Sequence, residues 1–151
     1  MGNLSAAIIR PQLSELPRRV RDGLRNHDRL AAQLTASPYI DVPTPLAGEQ
    51  RAPDSIQFNL TNLDDDTMRS FASIAQSNGV KVQIFGQSQD NARAFWNWQF
   101  LPDLPDLPQT RAMLMRACDV RLPVHLTLAE CDTIAEILLN ALQSATKQRA
   151  A

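Results

Sequence analysis

The sequence predicts an α+β domain: a small, mainly antiparallel sheet of three or four strands with helices on one face, preceded by a long N-terminal helix. Three stretches carry that expectation. Residues 4–34 place Leu4, Ile8, Leu13, Leu16, Val20, Leu24, Leu30 and Leu34 at mostly helical intervals. Residues 55–61, SIQFNLT, alternate Ile56, Phe58 and Leu60 with Ser55, Gln57 and Asn59, which is the period of a strand with one buried face. Thr127 and Glu130 form the T-x-x-E box that opens a helix, and Cys131, Ile134, Ile137, Leu138, Ala141 and Leu142 continue it as an apolar stripe needing cover from elsewhere in the chain.

Taken in order, the N-terminal helix contains Pro11 and Pro17, each of which removes a backbone donor, so it is expected as one rod or as two collinear pieces. Its arginines alternate with Glu15, Asp22 and Asp28, the pattern of a solvated outer face rather than of a membrane-surface helix, and His27 is expected exposed in its middle. Residues 37–54 hold four prolines and Gly48 and read as a connecting loop, with room for a short extended piece at 39–42. After the strand at 55–61, Asn62 and Asp64, Asp65 and Asp66 place capping side chains and negative charge at a helix start. A metal site is disfavoured there, because the carboxylates are consecutive and no further ligands follow.

Met68, Phe71, Ala72 and Ala75 form the buried side of that helix and Gly79 its stop. Residues 80–85, VKVQIF, read as the next strand, with Val80, Val82 and Ile84 on one face. Residues 86–108 are irregular. Residues 109–120 read as a short helix burying Met113, Leu114, Ala117 and Cys118, and residues 121–126 as a short strand interrupted by Pro123 and ending at His125, a structural residue in this reading. The tail after Leu142 turns polar and small and is expected to fray.

The bulk numbers narrow the class. A chain of 151 residues and 16.8 kDa fits one domain, divided here into a linking helix (1–36), an α/β small domain (37–146) and a frayed tail (147–151). With 44% apolar residues, 21% charged and a net charge of -1, neither disorder nor a nucleic-acid partner is expected. No apolar run approaches the ~18 residues of a membrane span, and the N-terminus lacks a signal peptide's basic start, so a cytoplasmic protein without membrane contact is expected. Cys118 and Cys131 lack ligand-spaced neighbours and read as reduced core residues.

Candidate chemistry concentrates in GQSQDNARAFWNWQF, which holds both tryptophans. Either alternate aromatic residues pack on the sheet, or Arg93, Trp96, Asn97 and Trp98 line a substrate cleft, the guanidinium for an acid group and the indoles for a ring. Nothing else assembles a catalyst: no residues are spaced as a phosphate loop or a zinc site, and the lysines number two, Lys81 and Lys147.

Three stretches together resemble the C-terminal part of the fold type I pyridoxal-phosphate aminotransferases, most closely the DegT/DnrJ/StrS sugar aminotransferase family. MGNLSAAIIRPQL matches the family's start of the long helix leaving the large domain through Met1, Asn3, Leu4, Ala6, Ala7, Gln12 and Leu13. RLPVHLTLAECDTIAEIL matches its last strand and helix through Leu122, Pro123, His125, Leu126 and Thr127, and between them lies a strand, helix, strand unit ending near Gly79. The resemblance implies a small domain that closes over substrate in an enzyme moving an amino group from an amino acid to a keto-sugar or related carbonyl. It implies a large pyridoxal-phosphate-binding domain of the same enzyme as partner, and a homodimer. The family's cofactor lysine and Asn-aromatic-Arg turn belong to that large domain, so this chain is expected to hold no cofactor and to be inactive alone. AFWNWQF replaces a loop that carries a histidine in many members, which leaves the substrate open. The rival expectation is a non-enzymatic module presenting its basic N-terminal helix to a partner protein.

Overall fold

The computed structural model describes residues 2–149, with only the backbone given for Arg149; Met1 of the first matched motif and residues 150–151 of the tail lie outside the described residues. In chain order the elements are α1 (Asn3–Leu34), β1 (Ile40–Asp41), β2 (Ser55–Leu60), α2 (Asp65–Ser77), β3 (Gln83–Ile84), α3 (Pro108–Leu114), β4 (Ala117–Arg121) and α4 (Leu128–Arg149). The strands make one sheet, ordered β1-β2-β4-β3, with every pairing antiparallel. The α+β class, the strand count and the long leading helix are as the sequence predicts.

The alternation in β2 determines what each sheet face does. Ile56, Phe58 and Leu60 are buried, and the register sets Ile56 opposite Val120 and Phe58 opposite Cys118. Ile84 of β3 meets Cys118 from the other side. This face packs under Leu30 and Leu34 of α1, Met68, Phe71 and Ala75 of α2, and Ala135, Leu138, Ala141 and Leu142 of α4, forming the core. The other face carries Gln57, Asp119 and Gln83 in one row across three strands. Both cysteines are free and buried, and burial pushes their thiols up, away from the reactive thiolate.

Both expected caps form. The Asp64 side chain accepts from the Thr67 amide at 2.8 Å to open α2. At α4 the Thr127 amide donates to Glu130 Oε2 at 2.7 Å, while the Glu130 amide donates to Thr127 Oγ1 at 3.2 Å, closing the reciprocal box.

Several boundaries differ from the reading of the sequence. The helix predicted over 109–120 ends at Leu114, with none of its residues buried and Met113 exposed; residues 117–121 instead form β4, the inner strand between β2 and β3. The strand predicted over 121–126 therefore lies earlier in the chain. Pro123 cannot donate to a ladder, so pairing stops after the Leu122 amide reaches the Asp54 carbonyl, and residues 123–126 turn toward α4.

β3 is shorter than the predicted 80–85. Gly79 leaves α2 with φ +92°, and the Val80 amide is held by the Ala75 carbonyl, so the sheet begins only at Gln83. α1 runs unbroken through Pro11 and Pro17; the carbonyls of Ala7 and Leu13 that lose a helical donor lie in the exposed outer half, open to water. α4 continues past Leu142 to Arg149, with Ala145 buried and Thr146 Oγ1 donating to the Leu142 carbonyl. His27 is not exposed as expected but 6% accessible, because the loop 43–54 folds over it.

α1 is joined to α4 by a polar clasp. Arg29 Nε and Nη2 donate to the two Asp132 oxygens at 2.7 and 2.9 Å, and Gln33 donates to the same carboxylate. Those bonds, Arg29's first, hold the Asp132 carboxyl below the usual range. A depressed acid stabilises the fold above its unfolded pKa and loses that contribution as pH falls through the folded value. The stability gap between the natural chain and Asp132→Asn should therefore be open at neutral pH and close below about pH 4, read from urea midpoints across pH. A gap that persists unchanged at acid pH would assign the loss to packing instead of charge.

Candidate functional site

The connection between β3 and α3 is built on contacts within itself. Gly86 lies so close to α3's end that a Cβ there would sit 2.6 Å from Met115 Sδ and 2.9 Å from its Cα, so the loop's root is seated where only glycine fits. Beyond it Asn97 Nδ2 donates to the Ser88 and Asn91 carbonyls at 2.9 and 3.0 Å, and Trp98 Nε1 donates to the Ala92 carbonyl at 2.6 Å. Phe95 is buried and meets Trp96 and Trp98 edge-on at 5.2 and 6.5 Å. The Arg111 guanidinium covers the Trp96 ring at 4.2 Å. Trp98 stacks on Phe100, which is 75% exposed.

The four residues singled out from the sequence thus divide. Trp96, Asn97 and Trp98 are half-buried and engaged in the loop's own packing. Arg93 is exposed, lies over the Phe85 ring at 4.4 Å, and reaches a cavity of ≈ 400 Å³. His27 of α1, Arg51 and Glu49 of the loop 43–54, and Ser55 and Gln57 of β2 complete its wall.

Reading of the sequence missed this cavity because it joins residues far apart in the chain. One local signal exists: Gly23, inside a helical pattern, marks a close backbone approach. A Cβ there would fall 2.7 Å from the Pro53 carbonyl oxygen and 2.7 Å from its Cβ. The loop that Gly23 admits brings Arg51 to His27, whose Nε2 accepts from Arg51 Nη1 at 3.1 Å. An arginine always donates, so Nε2 carries the lone pair, and the proton sits on Nδ1, which donates to Asp28 Oδ1 at 3.3 Å. Arg51 Nη2 also donates to the Pro43 carbonyl. His125, by contrast, is exposed in the turn before α4. Among the described residues no group of three or more His, Cys, Asp and Glu converges as a metal site, and no helix is long and apolar enough to cross a membrane.

Comparison with known proteins yields fold but not sequence matches. No protein-family model matches the chain, and no curated protein matches its sequence. Solved structures do match. An aminotransferase of Helicobacter pylori, PseC, involved in the biosynthesis of pseudoaminic acid, superposes with a TM-score of 0.71 at 13% identity, over 89% of this chain and 35% of its own. A DegT DnrJ EryC1 StrS aminotransferase of Brucella abortus gives 0.68 at 18% identity, over 89% and 34%. The GDP-4-keto-6-deoxy-D-mannose-3-dehydratase of E. coli, solved with bound hydrated PLP, gives 0.62 at 17% identity, over 85% and 33%. The chain thus spans about a third of the length of the structures it matches and shares the fold of that third, the fold anticipated from its motifs.

Proposed function

We propose that this chain is the C-terminal, small domain of a pyridoxal-phosphate-dependent aminotransferase of the sugar aminotransferase type. The observation that carries the reading is the superposition of about nine-tenths of the chain on about a third of such enzymes. In the whole enzyme an amino group passes from an amino acid to a keto-sugar or related carbonyl, and this domain closes over the substrate. Arg93, Trp96, Asn97 and Trp98 stand on the substrate side, Arg93 through the cavity it lines and the others by shaping the loop that presents it. The enzyme is a cytoplasmic homodimer in this reading.

The chain's own residues do not fit the cofactor. A lysine that holds pyridoxal phosphate needs a desolvated pocket, and Lys81 and Lys147 are both exposed. The cofactor lysine therefore belongs to a large domain, which also gives the outer half of α1 a partner: residues 2–21 are all exposed, including Leu4 at 75% and Leu13 at 60%. The same exposed row favours the second reading, a module that offers this helix to a different protein.

Borohydride reduction in the presence of pyridoxal phosphate tests the assignment. The chain alone should give no stoichiometric lysine adduct by mass spectrometry. Stoichiometric trapping at Lys81 or Lys147, reversed by an amino donor added before reduction, would overturn the division of labour. Joining the chain to a large domain of a matched aminotransferase should restore cofactor retention and transamination, and a joined protein that retains cofactor but transfers no amino group from any donor would favour the second reading.

A further inference from the structure

We infer that the cavity between Arg51 and Arg93 is an anion subsite, taking a carboxylate or a phosphate group. Among the described residues neither guanidinium takes part in an ion pair, although the other charges around them do or are otherwise engaged. Asp54 is taken by Arg121 at 2.7 Å, and Glu49 Oε2 accepts the Leu46 amide at 2.8 Å within its own turn. Two guanidiniums thus border a half-open space whose wall also holds two carboxylates, Asp54 paired with Arg121 and Glu49 bonded to the Leu46 amide.

Arg51 is also held in place. Its two terminal nitrogens are fixed by His27 Nε2 and the Pro43 carbonyl, and His27 is itself buried and oriented by Asp28. A guanidinium fixed by neutral acceptors keeps its full charge and loses little side-chain freedom when an anion arrives. Ser55 and Thr44 add hydroxyl donors on the same wall, suited to the remaining oxygens of an oxyanion, while the Gln57 amide there already donates to Asp119 Oδ1 at 3.4 Å. Arg93, anchored over Phe85, closes the space from the side of the tryptophan loop.

The inference deepens the reading above by giving that site an acidic substrate group, but it needs neither the cofactor nor the large domain. Titration of the chain with inorganic phosphate and, separately, with glutarate, at constant ionic strength and followed by amide NMR shifts, reads it directly. Saturable shifts of residues in 43–57 and of Arg93 are expected, and the tighter of the two arms identifies phosphate or carboxylate as the natural group. Arg51→Gln and Arg93→Gln should each weaken binding by about 10-fold or more, while Arg69→Gln, on α2, should leave it unchanged. Arg93 is exposed, so its variant tests the subsite even if Arg51→Gln disturbs the loop. Non-saturating shifts with both anions, or equal affinity in Arg93→Gln and Arg69→Gln, would overturn the subsite. Either outcome leaves the reconstitution experiment standing as the separate test of the aminotransferase reading.

Discussion

Replacing Phe58 by alanine should destabilise the chain by about 3–5 kcal/mol, a drop of roughly 2–4 °C in Tm for each kcal/mol at this size. Phe58 is 1% exposed on β2, meets Cys118 across the central pairing, and belongs to the cluster that also holds Phe71, Leu30 and Leu138. Those neighbours sit on three helices and cannot all move inward to fill the space, so most of the lost ring volume stays as a cavity. Phe100→Ala is the matched control. That ring is 75% exposed, and its removal should change stability by no more than about 0.5 kcal/mol. Urea denaturation of both variants checks the pair. Similar losses in the two would mean that the sheet does not bury the face assigned to it.

The same face was legible in the sequence because alternation in 55–61 and helical spacing in 131–142 are local signals, each complete within one element. The caps at Asp64 and Thr127 were legible for the same reason. What escaped was β4. Cys118, Val120 and Leu122 do alternate with Asp119 and Arg121, but the run is short and adjoins the helical spacing of Met113, Leu114 and Ala117, which absorbs it. Pairing on both sides makes the segment a strand, and pairing partners lie up to 66 residues away, as Ser55 does from Arg121. Pro123 was a usable signal, since a residue that cannot donate belongs at a strand's end and not in its middle.

The candidate site divides along the same line. Its chemical types were readable, because an arginine beside clustered tryptophans in a glycine-rooted loop stands out in composition. The geometry was not. Asn97 and Trp98 donate to carbonyls of residues 88–92, bonds that fix the loop's own shape and that residue types alone do not announce. His27, Arg51 and Gln57 come to the cavity from α1, a proline-rich loop and β2, and none of the three is distinguished by its immediate neighbours. A loop's path over a helix depends on packing between distant segments, which single-residue propensities do not encode.

That path makes Gly23→Ala the sharpest test of how the cavity is held. On helix propensity alone the substitution should stabilise α1 by about 0.5–1 kcal/mol. The added methyl, however, would lie 2.7 Å from the Pro53 carbonyl oxygen and 2.8 Å from its Cγ, closer than van der Waals contact permits. Part of that wall is backbone, so the loop rather than a side-chain rotamer has to move. Moving the loop draws Arg51 from His27 Nε2, exposes the imidazole and opens the cavity, while the core beneath β2 and α4 is untouched. The expected result is therefore split: stability no better than that of the natural chain despite the better helix former, and phosphate affinity lowered by about 10-fold. Amide shifts should change in 43–54 and not in α2 or α4. A more stable variant with unchanged phosphate binding would show that the loop yields without cost, and that Arg51 is positioned by something other than the contact of Gly23 with Pro53.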